Sequence, residues 1–361
     1  MKSKRKPTAD STQLPLTALR FTPMPRLLCF LLLSLLALLG TSVPAETFRL
    51  PTANRALLEP GAEPRFFAPT VGKTWVAGTY GCVRSDGHQM HEGIDILATK
   101  RDARGEPLDP VLATAGGTVC YVNRKSALSS YGNYIILRHL VDGLEIYSFY
   151  AHLASAREGL KPGQAVQAGE VIGTLGRTAN TRERIGKERA HLHFELALLA
   201  NDRFAAWFRR YRPGQRDDHG PWNGQNFLAF DARQVLLLQQ QMGAKFNLLA
   251  WLRAQPPLCR VLLRQTDLAL LQRYPALLRR NPVAEKEGVA GYELALNFAG
   301  VPAEIIPRAA SEIKSPGRLQ LLSVNESEAQ KNSCKKLVTQ RNGRWQLAPH
   351  GEELLGLLAW R

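Results

Sequence analysis

Between residues 66 and 200 apolar and polar positions come in short runs broken by glycine. Val111–Thr114, Gly117–Asn123, Asn133–Leu140, Leu144–His152 and Val171–Leu175 are rich in β-branched and aromatic residues, the composition of strands. Turn signals separate them: Ala115-Gly116-Gly117, Tyr131-Gly132-Asn133 and Val141-Asp142-Gly143. An Asp-Gly pair between two such runs predicts a hairpin. The pattern therefore predicts a mainly β, antiparallel module over residues 66–230. Beyond it the texture changes. Leucines at 236, 237, 238, 248, 249 and 252 predict helix over Asp231–Ala254, capped by Asp231 and stopped by Pro256-Pro257. Thr266–Arg279 continues in that style. Tyr292–Phe298 and Leu319–Val324 read as strands, Asn325–Lys331 as a polar loop, and Leu354–Trp360 as a closing apolar stretch. Residues 231–361 are expected to form an α+β accessory region, without an assigned role.

The first 45 residues belong to neither region. Six basic residues precede an apolar run from Leu27 to Leu39, and small residues up to Ala45 follow it. That is the layout of a secretory signal, with cleavage expected before Glu46; an uncleaved signal acting as a membrane anchor is the alternative. Residues 46–65 form an N-terminal segment ahead of the β module. Export to the periplasm or cell envelope is expected. It bears on the cysteines: Cys29 leaves with the signal, and Cys82, Cys120, Cys259 and Cys334 remain in an oxidising compartment. Two bridges, each within its own region (Cys82 with Cys120, Cys259 with Cys334), are the simplest expectation, with free buried thiols as the alternative.

Composition narrows the classes further. Of 361 residues 45% are hydrophobic and 22% charged, which excludes a largely disordered chain. A formal net charge of +16 suits an anionic partner. Nucleic acid is not expected: export removes the chain from it, and no helix-turn-helix or finger signature is present.

The histidines are the candidate chemistry. His91-Glu92-Gly93-Ile94-Asp95 sets an imidazole and a carboxylate four residues apart. On a straight strand they would stand roughly 13 Å apart, too far for one ion with donors about 2 Å away. Gly93 between them permits the bend that would bring them together. In His191-Leu192-His193-Phe194-Glu195-Leu196 the alternation is clean, with His191, His193 and Glu195 on one face and apolar residues on the other. His152 ends the run Tyr147–Leu153, at a strand rim. His139 is expected to face outward on its strand, and His219 and His350 to lie at the surface.

Together these strings resemble the three signatures of lysostaphin-type zinc metalloendopeptidases of peptidase family M23. His91–Asp95, Tyr150-Ala151-His152-Leu153 and His191–Glu195 stand in the family's order with comparable separations. Lys161–Gly173 is similar to its glycine-punctuated turn-and-strand unit. The resemblance covers roughly residues 70–230. It implies an antiparallel β-sheet groove of the duplicated-hybrid-motif kind, holding one Zn²⁺ on His91, Asp95 and His193. His152 and His191 match the family's two catalytic histidines. Glu195, Arg84 and His88 are candidates for a supporting shell or the groove wall. The implied substrate is the peptide of bacterial peptidoglycan, cut by a metal-activated water. Segments Thr99–Asp109 and Thr178–Ala190 are longer than the family's pattern leads one to expect. A catalytically inactive relative that binds and activates a cell-wall amidase is the rival reading; such scaffolds lose one or more site residues, and here all five stand.

Overall fold

The computed structural model describes residues 48–180 and 184–361. The expected signal therefore lies outside the described residues. Ten strands precede the second histidine pair: β1 (Gly81–Arg84), β2 (Gln89–His91), β3 (Ile94–Leu97), β4 (Pro110–Leu112), β5 (Gly117–Asn123), β6 (Asn133–Val141), β7 (Leu144–Leu153), β8 (Ser155–Ala156), β9 (Ala165–Val166) and β10 (Val171–Thr174). After them come β11 (His191–Leu199) and β12 (Phe227–Phe230). The order of the main sheet is β12-β11-β7-β6-β5-β9, with β3 sharing the outer edge of β11 with β12, and every pairing is antiparallel. Strands β4, β10 and β8 make a small second sheet, and β1 pairs β2.

The five sequence-predicted strand runs fall on β4, β5, β6, β7 and β10. The Asp142-Gly143 turn joins β6 to β7 with both residues at positive φ, 50° and 76°, the twist-matched hairpin geometry that this pair favours. All nine residues of β11 are buried. Leu192, Phe194, Leu196 and Leu198 enter the main core, while Phe149, Ala197 and Phe227 build a smaller aromatic cluster on the other face.

Residues 231–361 add a four-stranded sheet, with β13 (Cys259–Leu263), β14 (Gly291–Leu296), β15 (Pro302–Arg308) and β16 (Leu319–Val324) in the order β15-β14-β13-β16. A final helix spans Pro349–Leu358. One buried hydrophobic cluster runs from Phe48 to Ala359, so the two regions share a core. Polar links cross it as well: Leu199 N donates to Tyr274 Oη at 2.7 Å, and Asn201 Nδ2 donates to the carbonyls of Leu357 and Trp360. Among the described residues no helix is long and apolar enough to cross a membrane.

Four expectations are corrected. The leucine-rich helix is two helices, Ala232–Met242 and Leu248–Ala254. Asp231 caps the first as expected, but Gly243, at φ 55°, ends it, and Asn247 caps the second. The apolar spacing continues across the gap, which hides the break. Asn325–Lys331 is a capped helix rather than a loop, since the Asn325 side chain accepts the Glu328 N–H. The disulfide joins Cys82 to Cys334 across the two regions, with Cys120 and Cys259 free; the shared core brings distant segments closer than sequence neighbours. His139 points inward: it alternates with exposed Arg138 and Leu140, shares the buried face with Leu137 and Val141, and Gly117 leaves room for its ring. There its Nδ1 donates to the Gly116 carbonyl and its Nε2 meets Ser148 Oγ at 2.7 Å.

Two outcomes follow for stability. Burial pushes the His139 pKa down to about 4, so between pH 4 and 6.5 the unfolded chain binds the proton and the folded one does not. This contribution is present in full above pH 6.5 and is lost as pH falls toward 4, by about 3 kcal/mol at most. Urea denaturation across that range should show a flatter pH dependence for His139→Gln than for the parent chain. Replacing Cys82 and Cys334 with serine opens a loop of 252 residues and is expected to cost on the order of 3–5 kcal/mol, read as a lower midpoint in the same assay.

Candidate metal centre

Register places the donors. Within the β3–β11 ladder Asp95 stands directly opposite His193, and in the β7–β11 ladder Ala151 stands opposite His193. Cross-strand partners share a face, so the Asp95 carboxylate and His193 imidazole point the same way. His91 comes from a different sheet. The chain leaves β2, turns through Glu92 and Gly93, and joins β11 as β3. A side chain on Gly93 would meet Phe194 O at 2.6 Å and His193 Cε1 at 2.9 Å, so only glycine lets the turn pack on the strand that carries His193. His91 Nε2, Asp95 Oδ1 and His193 Nδ1 thereby converge: His91 to His193 is 3.1 Å, His91 to Asp95 3.2 Å and His193 to Asp95 2.9 Å. All three residues are buried.

Each imidazole is held by its other nitrogen. His91 Nδ1 donates to the Thr79 carbonyl at 2.7 Å, His152 Nδ1 to Thr178 O at 2.8 Å and His191 Nδ1 to Arg189 O at 2.7 Å. A carbonyl can only accept, so these nitrogens carry the hydrogen and the Nε2 lone pairs face the cluster. His193 is turned the other way: its Nε2 donates to Glu195 Oε1 at 2.7 Å, leaving Nδ1 inward. Tyr131 Oη donates to the same carboxylate oxygen at 2.7 Å and its ring lies 5.5 Å from that of His193.

His152 sits 4.9 Å, ring to ring, from His191. Its backbone adopts φ 61°, the left-handed region that a non-glycine residue enters at a cost. Three bonds hold it there: its N–H donates to Tyr131 O, Thr178 N donates to its carbonyl, and its ring donates to Thr178 O. A side chain on Gly132 would strike Thr178 O at 2.1 Å, so the Tyr-Gly-Asn turn and the Thr178 segment touch backbone to backbone.

The electrostatics suit a cation. Three acceptors within 3.2 Å of one another repel unless a positive charge sits among them. Burial opposes charge on His193, yet the Asp95 and Glu195 carboxylates outweigh it and push its pKa up to about 10, so without an ion a proton on Nδ1 takes the place of the cation between His193 and Asp95. Burial raises the Asp95 pKa, but the surrounding histidines overcome it and hold the carboxyl well below its ordinary range. Burial, with His191 and His193 adjacent, pushes His152 down to about 3. Arg84 adds a guanidinium: its Nη2 donates to Asp95 Oδ2 and lies 3.0 Å from His91 Nε2. The donor set of two imidazoles and one carboxylate, each oriented by a second hydrogen bond, could hold one divalent ion such as zinc.

Residues 89–203 match the family model "Peptidase family M23". The chain is 36% identical over 95 residues to "Lipoprotein NlpD" of Yersinia enterocolitica, covering 26% of this chain and 84% of that relative. The chain belongs to peptidase family M23. It is also 37% identical over 140 residues to "Lipoprotein NlpD/LppB homolog" of Pseudomonas aeruginosa, covering 38% of this chain. With "Murein hydrolase activator NlpD" of Escherichia coli K12 it shares 38% identity over 128 residues, covering 36% of this chain. The chain spans 39% and 27% of the length of these last two relatives.

Within the M23 domain the five histidine and aspartate positions singled out from sequence lie together. Glu195 and Arg84 touch them. His88 is exposed and shares no contact with the cluster, because it sits in the turn between β1 and β2. Tyr131 escaped the sequence reading. Its string looks like a turn, and only the partnership with Glu195 reveals more. The carbonyls of Thr79, Thr178 and Arg189 were likewise invisible, since backbone acceptors leave no signature in side-chain type.

Glu195→Ala is expected to weaken zinc binding by about 10–100-fold, the usual effect of removing a carboxylate that orients a histidine ligand. Tyr131→Phe should weaken it less, because Glu195 keeps its bond to His193. Competition with a chromophoric chelator measures both.

Proposed function

We propose that this protein is a zinc-dependent endopeptidase that hydrolyses peptide cross-links of bacterial peptidoglycan. The observation that carries the reading is the convergence of His91 Nε2, Asp95 Oδ1 and His193 Nδ1 beside two further imidazoles. His91, Asp95 and His193 would hold the ion. When bound, zinc supplies a water acidic enough to ionise near neutral pH and polarises the scissile carbonyl.

The remaining steps belong to the side chains. His152 and His191 each present a free Nε2, with Nδ1 tied to a backbone carbonyl. A neutral imidazole so oriented accepts a proton during attack and returns it to the leaving amine. The imidazolium formed by taking up that proton donates to the developing oxyanion until it passes the proton on. Glu195 keeps His193 in the tautomer that leaves Nδ1 free. Arg84 balances the charge of Asp95. Family membership and the basic charge of an exported chain support a cell-wall substrate.

A second reading has one observation in its favour: a relative 38% identical over 128 residues is named a murein hydrolase activator. On that reading the same groove docks and stimulates a cell-wall amidase without cutting. The complete set of five site residues favours the enzyme.

The purified chain is expected to hold one zinc per molecule and to release soluble fragments from peptidoglycan. His152→Ala and His191→Ala should keep the metal and lose roughly 10²–10⁴-fold in rate. Wild-type protein that is loaded with zinc and inert, yet accelerates an amidase, would replace the hydrolase with the scaffold.

A further inference from the structure

A cavity of about 570 Å³ reaches residues that adjoin the metal cluster, though none of the five cluster residues lines it; its size is in the range of sites for small ligands. Glu92 and Tyr131 are among its lining residues. Glu92 follows the candidate ligand His91 in the chain, and Tyr131 packs on His193. The accessory region supplies one wall through Lys335, His350 and Glu353, and Arg212 also lines the cavity.

This wall is fastened to the catalytic sheet at several points. Cys334, next to Lys335, is bonded to Cys82 of β1, and β1 places Gly81 opposite His91. Glu353 forms an ion pair with Arg212. Asn201, at the end of β11, holds the carbonyls of Leu357 and Trp360. The final helix and the 334–336 turn are thus fixed relative to the donors.

Lys335 is held on this wall by one long ion pair. Its side chain is only 23% exposed, and its ammonium lies 3.5 Å from Glu92 Oε1, beyond a good hydrogen bond. An ammonium has three N–H donors to satisfy. A partly desolvated cation facing an open cavity beside a hydrolytic site suits a carboxylate. Glu92 pairs with it and Glu353 lines the same cavity, which disfavours a polyanion and suits a ligand that also carries an amine.

We infer that the C-terminal wall makes this cavity a subsite for a short peptide with a free carboxylate, received by Lys335. The inference rests on the peptidoglycan reading and deepens it: the accessory region selects which peptide lies beside the metal. Lys335 acts as a specificity residue, not as a catalytic one.

The test uses the full purified chain and soluble peptides released from peptidoglycan, as free acids and with their carboxyl groups amidated. Binding is measured by calorimetry. Lys335→Glu is expected to raise Kd for the free acids about 10-fold or more, as losing a hydrogen-bonded charge pair does. Amidation should weaken binding to the parent chain to a similar degree and add little in the variant. Lys335→Arg should restore most of the affinity. Zinc content and thermal midpoint of Lys335→Glu should match the parent, which separates the subsite from a folding defect. Equal Kd in parent and variant, an equal amidation penalty in both, or a parent chain that binds none of the peptides overturns the subsite. Cleavage is scored apart. A chain that cuts peptidoglycan with Lys335→Glu unaffected keeps the hydrolase and loses the subsite, whereas one that binds through Lys335 without cutting does the reverse.

Discussion

Three acceptor atoms held within about 3 Å of each other, out of water, form the constraint on which the rest of this structure depends. Without a proton or an ion among them they would repel. The fold opposes that with hydrogen bonds from the far side of each ring and with the Arg84 guanidinium. The result is a preorganised electron-rich pocket whose geometry is set before any ion arrives. Preorganisation of this kind requires rigid supports, and the three donors come from strands that are buried and cross-paired.

Those supports explain the placement of the main sheet. β11 sits between β7 on one edge and β3 with β12 on the other, and is buried along its whole length. Slipping it by one residue would send His191, His193 and Glu195 into the apolar layer now occupied by Leu192, Phe194 and Leu196. The large cost of that exchange locks the register, and the register aligns Asp95 with His193. Hydrophobic packing and site geometry are here the same fact.

Much of this was legible in the residues because period-2 alternation survives wherever one strand face carries chemistry. The five strand runs and the His-x-His face could be read directly, and the bend at Gly93 followed from a distance argument. What stayed hidden depended on contacts between remote segments. Cys82 finds Cys334 because the accessory region folds back on β1, and nothing in local spacing reports that return. His139 looked outward because its apolar neighbour Leu140 is the natural candidate for burial, yet Leu140 is exposed and His139 is buried beside Leu137 and Val141. The helix capped by Asn325 is short and polar, so no apolar stripe announces it. In the accessory region, leucine repeats signalled helix but could not show where Gly243 interrupts it.

The backbone at His152 carries one more implication. A residue with a side chain spends conformational energy to sit at φ 61° in an otherwise extended strand end, where glycine would rest without strain. For folding alone, the imidazole is a burden. In a descendant freed from whatever this ring does, drift toward glycine at position 152 would be rewarded by a sturdier molecule. Retention of histidine there would then mark a lineage still under selection for that ring's chemistry.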